Sequence, residues 1–250
     1  MANEVALINE KELQAAFGAV GFGEFSKEVT FPYLSIAAKT SDRAVEGSAT
    51  YIEGLKPGYL FNSISSRVYG NKIRVIILDY SAQFREHTKN DKGGKGDFVR
   101  IVPPAEIRTF TQDQIRDYTK NGFPNGNLLE EVKMFYVVLP DFKEDGIMKW
   151  SFPKGSFKHI RNWGGMIVRT GEPYPAHIWE VATGMMKNEI ASWFTIGNDD
   201  TTFVKDCGAV PKELLLGDVK EAFDLVQAIR KSENNAPVIK HDAGGDEVPF

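Results

Sequence analysis

The alternation of apolar and polar positions along the chain predicts short strands more often than helices. "YLFNSISSRVYG" and "KIRVIILDYSAQFREH" read as two strands meeting at Gly70 and Asn71 in a tight hairpin, the second long enough to curl. Further strands are expected at "DFVRIV", "VKMFYVVLP", "GIMKWSF", "HIWEVAT" and "EIASWFTIG". Helical spacing is found in three places. "INEKELQAAFGAV" has Asn9 as its N-cap and Leu13 and Phe17 on one face, and "SFKHIRNWGGMI" lies between two strands. "PKELLLGDVKEAFDLVQAIRKSE" sets Val219, Phe223, Val226 and Ile229 on one stripe behind Pro211.

This order is that of a mainly β chain with peripheral helices, an α+β arrangement. Several short strands around one long bent strand suggest an elaborated OB-fold barrel. At 250 residues and 42% hydrophobic, the chain can bury a core in one elaborated domain, taken as residues 1–232. Residues 233–250 are polar and rich in Gly, Ala and Pro, the composition of a flexible linker and a disordered acidic tail. The tail also changes the meaning of the net charge of −4. It holds Glu233, Asp242, Asp246 and Glu247 against Lys240, which leaves the body within one charge of neutral and free to carry a basic face.

Two segments supply such a face. Residues 146–171 contain neither Asp nor Glu, while Lys149, Lys154, Lys158, Arg161 and Arg169 alternate with Trp150, Phe152, Phe157 and Trp163. "KNDKGGKGD" adds Lys89, Lys92 and Lys95 on a glycine-marked loop. Period-two alternation in "DFVRIV" puts Phe98 and Arg100 together and turns Val99 and Ile101 toward a core. After Asp79 the long strand sets Tyr80, Ala82 and Phe84 on one side and Ser81, Gln83 and Arg85 on the other. Rings beside cations suit single-stranded nucleic acid, because every base has a π-face and every phosphate a charge. Plainer readings stand beside this one. Phe157, Ile160 and Trp163 have the i, i+3, i+6 spacing of helix core contacts, leaving Lys158 and Arg161 outward. Trp150 and Phe152 share a strand face that is either interior or open, and Trp193 and Phe194 face opposite sides of theirs. The lysine loop also reads as an ordinary solvated loop.

Catalytic patterns are missing from the sequence. It has no GxxxxGK[ST], HExxH or GxSxG stretch, and Cys207 stands alone among scattered His87, His159, His177 and His241. No enzyme, catalytic residue, cofactor or metal is therefore expected, apart from a nuclease assembled from distant carboxylates, which a magnesium-dependent cleavage assay decides. One cysteine, a polar start and apolar runs no longer than a strand point to the cytoplasm and away from a membrane.

The final "DEVPF" resembles the acidic tip of bacterial single-stranded-DNA-binding proteins, matched in order by Asp246, Glu247, Val248, Pro249 and Phe250. That resemblance implies a partner-binding tip for replication or recombination proteins such as a polymerase, helicase, primase or nuclease. Phe250 would enter an apolar pocket and the acids would meet a basic rim. The body resembles tailed-phage OB-fold single-stranded-DNA-binding proteins, through "KTSDRAVEGSATYIEGLKPGYLFNSISSRVYG", "IRVIILDYSAQFREH", "FKHIRNWGGMI", "PAHIWEVATGMMKNEIASWFTIG" and the closing helix. The expected function is non-sequence-specific coating of single-stranded DNA. The expected contacts are Tyr80, Phe84, Arg85, Lys89, Lys92, Lys95, Phe98, Arg100, Lys149, Trp150, Lys154, Lys158, Arg161 and Trp193. The rival reading is a phage replisome adaptor or host-factor binder that holds no DNA.

Overall fold

Eleven strands are described. In chain order they are β1 (Leu34–Ile36), β2 (Leu60–Asn62), β3 (Val68–Gly70), β4 (Lys72–Lys89), β5 (Lys95–Val102), β6 (Leu128–Val138), β7 (Met148–Phe152), β8 (His177–Ala182), β9 (Gly184–Lys187), β10 (Ser192–Thr195) and β11 (Val204–Ala209). The helices are α1 (Pro104–Ile107), α2 (Gln112–Lys120), α3 (Phe157–Thr170) and α4 (Lys220–Asn235). The computed structural model describes residues 31–235 apart from Lys92 and Ile190, so the expected opening helix with Asn9, Leu13 and Phe17, and the acidic tail, lie outside the described residues.

Strand β4 organises the rest. Residues 72–76 pair with β8, residues 76–87 with β6 and residues 84–89 with β5, all antiparallel. The resulting sheet runs β11, β8, β4, β6, β7, with β5 added on β4. A small sheet β1–β2–β3 joins it through a parallel bridge between Tyr33 and Lys149, where Lys149 N donates to Pro32 O at 2.9 Å. The protein is thus mainly β with helices, and the six-stranded ladder is open at β11 and β7 rather than closed on itself.

Both faces of β4 are buried near its start. Ile73, Val75 and Ile77 enter one core with Phe135, Trp150, Phe152, Trp163 and Trp179, while Ile76 and Leu78 enter a second with Tyr136, Val219, Val226 and Ile229. Helix α3 covers the first face through Ile160, Trp163 and Ile167; of the expected Phe157, Ile160 and Trp163, the last two enter the core and Phe157 is half-buried outside it. The closing segment covers the second. Lys212–Leu214, a π-turn at Leu215–Val219 bent at Gly217, and α4 bring Val219, Val226 and Ile229 inward, with Phe223 packed beside them.

Two local expectations are corrected. Residues flanking Gly70 (φ 85°) do turn, but β3 pairs with β2, and from Lys72 on β4 pairs with β8. Val99 and Ile101 do not reach a core; they are 45% and 47% exposed. The register with β4 slips between Phe98 and Arg100, which leaves Val99 bulged out of the ladder on an edge strand beyond both cores. Helix α2 was unanticipated, although its signal was present. Thr111 accepts from Gln114 N while the Gln114 side chain accepts from Thr111 N, a capping box.

Trp163 is fully buried, with ring centroids of Phe135 at 5.0 Å and of Trp150 and Trp179 at 6.2 Å. Trp163→Ala is expected to cost about 3–5 kcal/mol in urea unfolding, against less than about 0.5 kcal/mol for a substitution at exposed Lys154. A second expectation concerns pH. His177 bonds Asp206 Oδ1 at 3.0 Å through Nδ1 and Glu172 Oε2 at 2.9 Å through Nε2, and these bonds, Asp206 foremost, raise its pKa. The stabilisation is complete below the unfolded value of about 6.5 and fades as pH rises through the higher folded value. The difference in Tm between the wild type and His177→Gln should therefore shrink from pH 5.5 to pH 8.5; a constant difference refutes the assignment.

Candidate nucleic-acid interface

Beyond Asp79, β4 leaves the double core and one of its faces becomes the floor of a groove. The antiparallel register sets Tyr80 opposite Phe135, Ala82 opposite Lys133 and Phe84 opposite Glu131, so these six side chains share a face. Helix α3 forms the facing wall with Phe157, Ile160, Arg161, Gly164 and Ile167, and Tyr174 stands at the mouth, 41% exposed. The groove's volume is about 440 Å³, within the range of roughly 300–1,000 Å³ that accepts a small organic ligand.

The groove holds a cation between rings. Lys133 Nζ lies 5.8 Å from the Tyr80 centroid and 5.3 Å from that of Phe157, and it pairs with Glu131. Burial opposes the charge, but hydrogen bonds to Glu131 and Tyr80 outweigh it and raise the Lys133 pKa. Small Ala82 across the strand pair leaves room for the lysine stem. Below it, Phe135 is packed by Tyr80 at 5.3 Å and Phe152 at 5.8 Å. Chemically, this is an apolar slot with stacking faces, one held ammonium and one outward guanidinium.

The expected contact residues divide among several places. Tyr80 and Arg161 line the groove, and Phe84 continues its floor. Lys154 and Lys158 precede Arg161 by two turns and one turn, both exposed, and Lys158 Nζ donates to Asp199 O. Trp193 packs near them; a Cβ built on Gly155 would meet its Nε1 at 3.2 Å, so the indole is seated against that backbone. Arg85 lies on the opposite face of β4, where Nε donates to Gln83 Oε1 at 3.0 Å.

Other expected contacts are engaged elsewhere. Trp150 is 1% exposed within the aromatic core and offers no face to a base, which corrects its proposed stacking role. Lys149 lies over Phe31 and Tyr136, at 5.6 and 5.5 Å, on the far side of the sheet. Lys95 pairs with Glu130 at 2.8 Å, and Lys89 donates to Asn121 O at 3.4 Å. Arg100 is engaged as well. Its fork grips Glu106 at 2.7 and 2.8 Å and its Nε grips Glu86 at 2.7 Å, so a phosphate would have to displace two carboxylates. The Glu106 bonds, foremost, raise its pKa. Phe98 remains 57% exposed, with an edge contact to His87 at 5.8 Å. Lys92 and the five tip residues lie outside the described residues.

Sequence reasoning missed Lys133 and Tyr174. Lys133 carries a readable signal, since it shares the period-two phase of Phe135 and Val137, where an ionisable group is out of place unless it faces a ligand or a partner. Tyr174 sits between Pro173 and Pro175 at the start of a 3-10 turn, Tyr174–Ala176, and carries none.

Among the described residues, no group of three His, Cys, Asp or Glu side chains is placed to hold a metal ion, and no helix is long and apolar enough to cross a membrane. No curated protein and no solved structure matches the chain. A family model does, over residues 6–229, and with that span the chain belongs to the Pam3 phage gp34-like protein family.

Proposed function

We propose that the protein binds single-stranded DNA in the groove between the β4–β6 face and α3. It coats exposed strands without sequence specificity during phage DNA replication and recombination. The observation that carries this reading is Lys133, held between the Tyr80 and Phe157 rings in a slot with Arg161 on its wall. Rings that stack bases and cations that hold phosphates are what a sequence-tolerant single-strand site requires. Lys154 and Lys158 extend the positive edge along α3. The role is non-catalytic, with no cofactor, in the cytoplasm of the host cell. Residues 246–250 recruit replication or recombination proteins. The OB-type reading of the fold is supported by β4, which passes from β8 to β6 and β5 along its length, and by the small sheet bridged to β7.

The adaptor reading draws on a different observation. Phe98, Val99 and Ile101 are all exposed on edge strand β5, an apolar surface suited to a protein partner. An oligonucleotide titration separates the two readings.

Labelled oligo-dT should bind more tightly than duplex of equal length, and log K should fall linearly with log salt at a slope of about −0.7 per phosphate neutralised. A slope near zero, or equal affinity for duplex, rejects the groove in favour of the adaptor reading. Tyr174→Ala should weaken oligo-dT by about 1–3 kcal/mol, the worth of one stacked base, with Tm nearly unchanged because Tyr174 is half in solvent. Undiminished binding by this variant removes the mouth of the groove from the contact.

A further inference from the structure

Glycine is among the poorest residues for a helix interior, so one found there calls for a reason. Elsewhere the reason is visible: a Cβ on Gly184 or Gly197 would lie 2.4 Å from a backbone oxygen. Gly164 and Gly165, in the middle of α3, have no such reason, and of the two Gly164 lines the groove. A Cβ on Gly164 meets no heavy atom of the described residues within 4 Å, and its φ is not in the left-handed region. Neither packing among the described residues nor backbone conformation excludes alanine. What a methyl group would enter is the groove that Gly164 lines, facing Tyr80, Lys133 and Phe135 across the slot.

We propose that Gly164 is the seat of one unstacked nucleobase of a bound single strand. The base lies against the bare helix backbone between Phe157 and Tyr174, and its flanking phosphate is held by Arg161 and Lys133. The proposal rests on the single-strand reading of the groove and specifies which ligand atoms come closest. The two cations against one carboxylate, Glu131, leave the slot net positive, as a phosphodiester requires. The bare backbone gives a planar ring the close approach that any side chain at 164 would take away.

A structural glycine and a ligand-seating glycine respond oppositely to alanine. Gly165 is the internal control, because its Cβ position is equally open while the residue is exposed and does not line the groove. Thermal melts and low-salt titrations with labelled oligo-dT are compared for the wild type, Gly164→Ala, Gly164→Leu and Gly165→Ala. Both alanine variants should melt above the wild type. Gly165→Ala should bind as the wild type does, Gly164→Ala about threefold more weakly, and Gly164→Leu at least about tenfold more weakly, the scale of one lost stacking contact. If the wild type binds and both Gly164 variants bind equally well, the seat is refuted and the groove reading survives. If the wild type fails to bind oligo-dT at low salt, the functional reading falls and takes the seat with it. Should the leucine variant not fold, the alanine pair still decides.

Discussion

Strand β4 is apolar on both faces from Val75 to Leu78, and the fold depends on keeping water from both. A strand exposed on one side can alternate apolar with polar residues, but Val75, Ile76, Ile77 and Leu78 allow no such relief. Covering them demands a helix on each face, α3 on one side and α4 on the other, and hydrogen-bonded neighbours along both edges. The demand ends at Asp79, which accepts from Arg230 of α4 at the margin of the second core. Past that pair the same strand continues with Tyr80, half-buried, and its face opens into the groove. The core and the candidate site are thus successive stretches of one strand, separated by a single ion pair.

What was legible in the sequence is what depends on near neighbours. The period-two face shared by Tyr80, Ala82 and Phe84, and the helical spacing of Ile160 and Trp163, are set by local backbone geometry and appear as expected. What was not legible depends on who sits at an edge. The turn at Gly70 fits a hairpin, yet whether β3 pairs with β4 is decided by β8, more than a hundred residues further on. Alternation likewise assigns Val99 an inward face, and one slipped register overturns it. A closed barrel is harder still to infer, because closure is a property of the last pair of strands and no local pattern encodes it.

Charge shows the same division more sharply. A segment free of Asp and Glu reads as basic along the chain, but the fold decides what each cation meets. Asp199 supplies the carbonyl that binds Lys158, Glu130 reaches Lys95, and Glu86 with Glu106 encloses Arg100. Glu86 itself is 3% exposed. Burial works against its charge, and bonds from Asn127, Asn125 and Arg100 more than restore it, lowering its pKa. Arg100 therefore ties β5 to β4 and α1, while Glu86 holds the loop before β6. Lys133 was hidden for the converse reason. It follows Glu130 and Glu131 and sits in what reads as an acidic stretch, yet the pleat sends Glu130 toward His87 and Lys95, on the face opposite the groove, and leaves Lys133 with Glu131 among the rings.

The width of the groove is a question of where α3 lies, and its N-terminal end is held by the β9–β10 hairpin and the turn after it. Thr195 donates to Ser156 in a buried hydroxyl pair at 2.8 Å, and His159 Nδ1 meets Thr202 Oγ1 at 2.9 Å. Backbone comes close as well: a Cβ on Gly197 would stand 2.6 Å from the His159 ring, so no other residue lets the loop approach the helix this far. Burial, with Lys158 adding to it, lowers the His159 pKa and keeps the imidazole neutral near pH 7. A neutral ring tolerates Met186 Sδ at 3.2 Å and the apolar surround of the hairpin, where a charged one would call for solvent. The hairpin and the turn after it thereby fix the start of α3 by shape and two uncharged hydrogen bonds, and Lys158 and Arg161 of that helix remain exposed on its outer side.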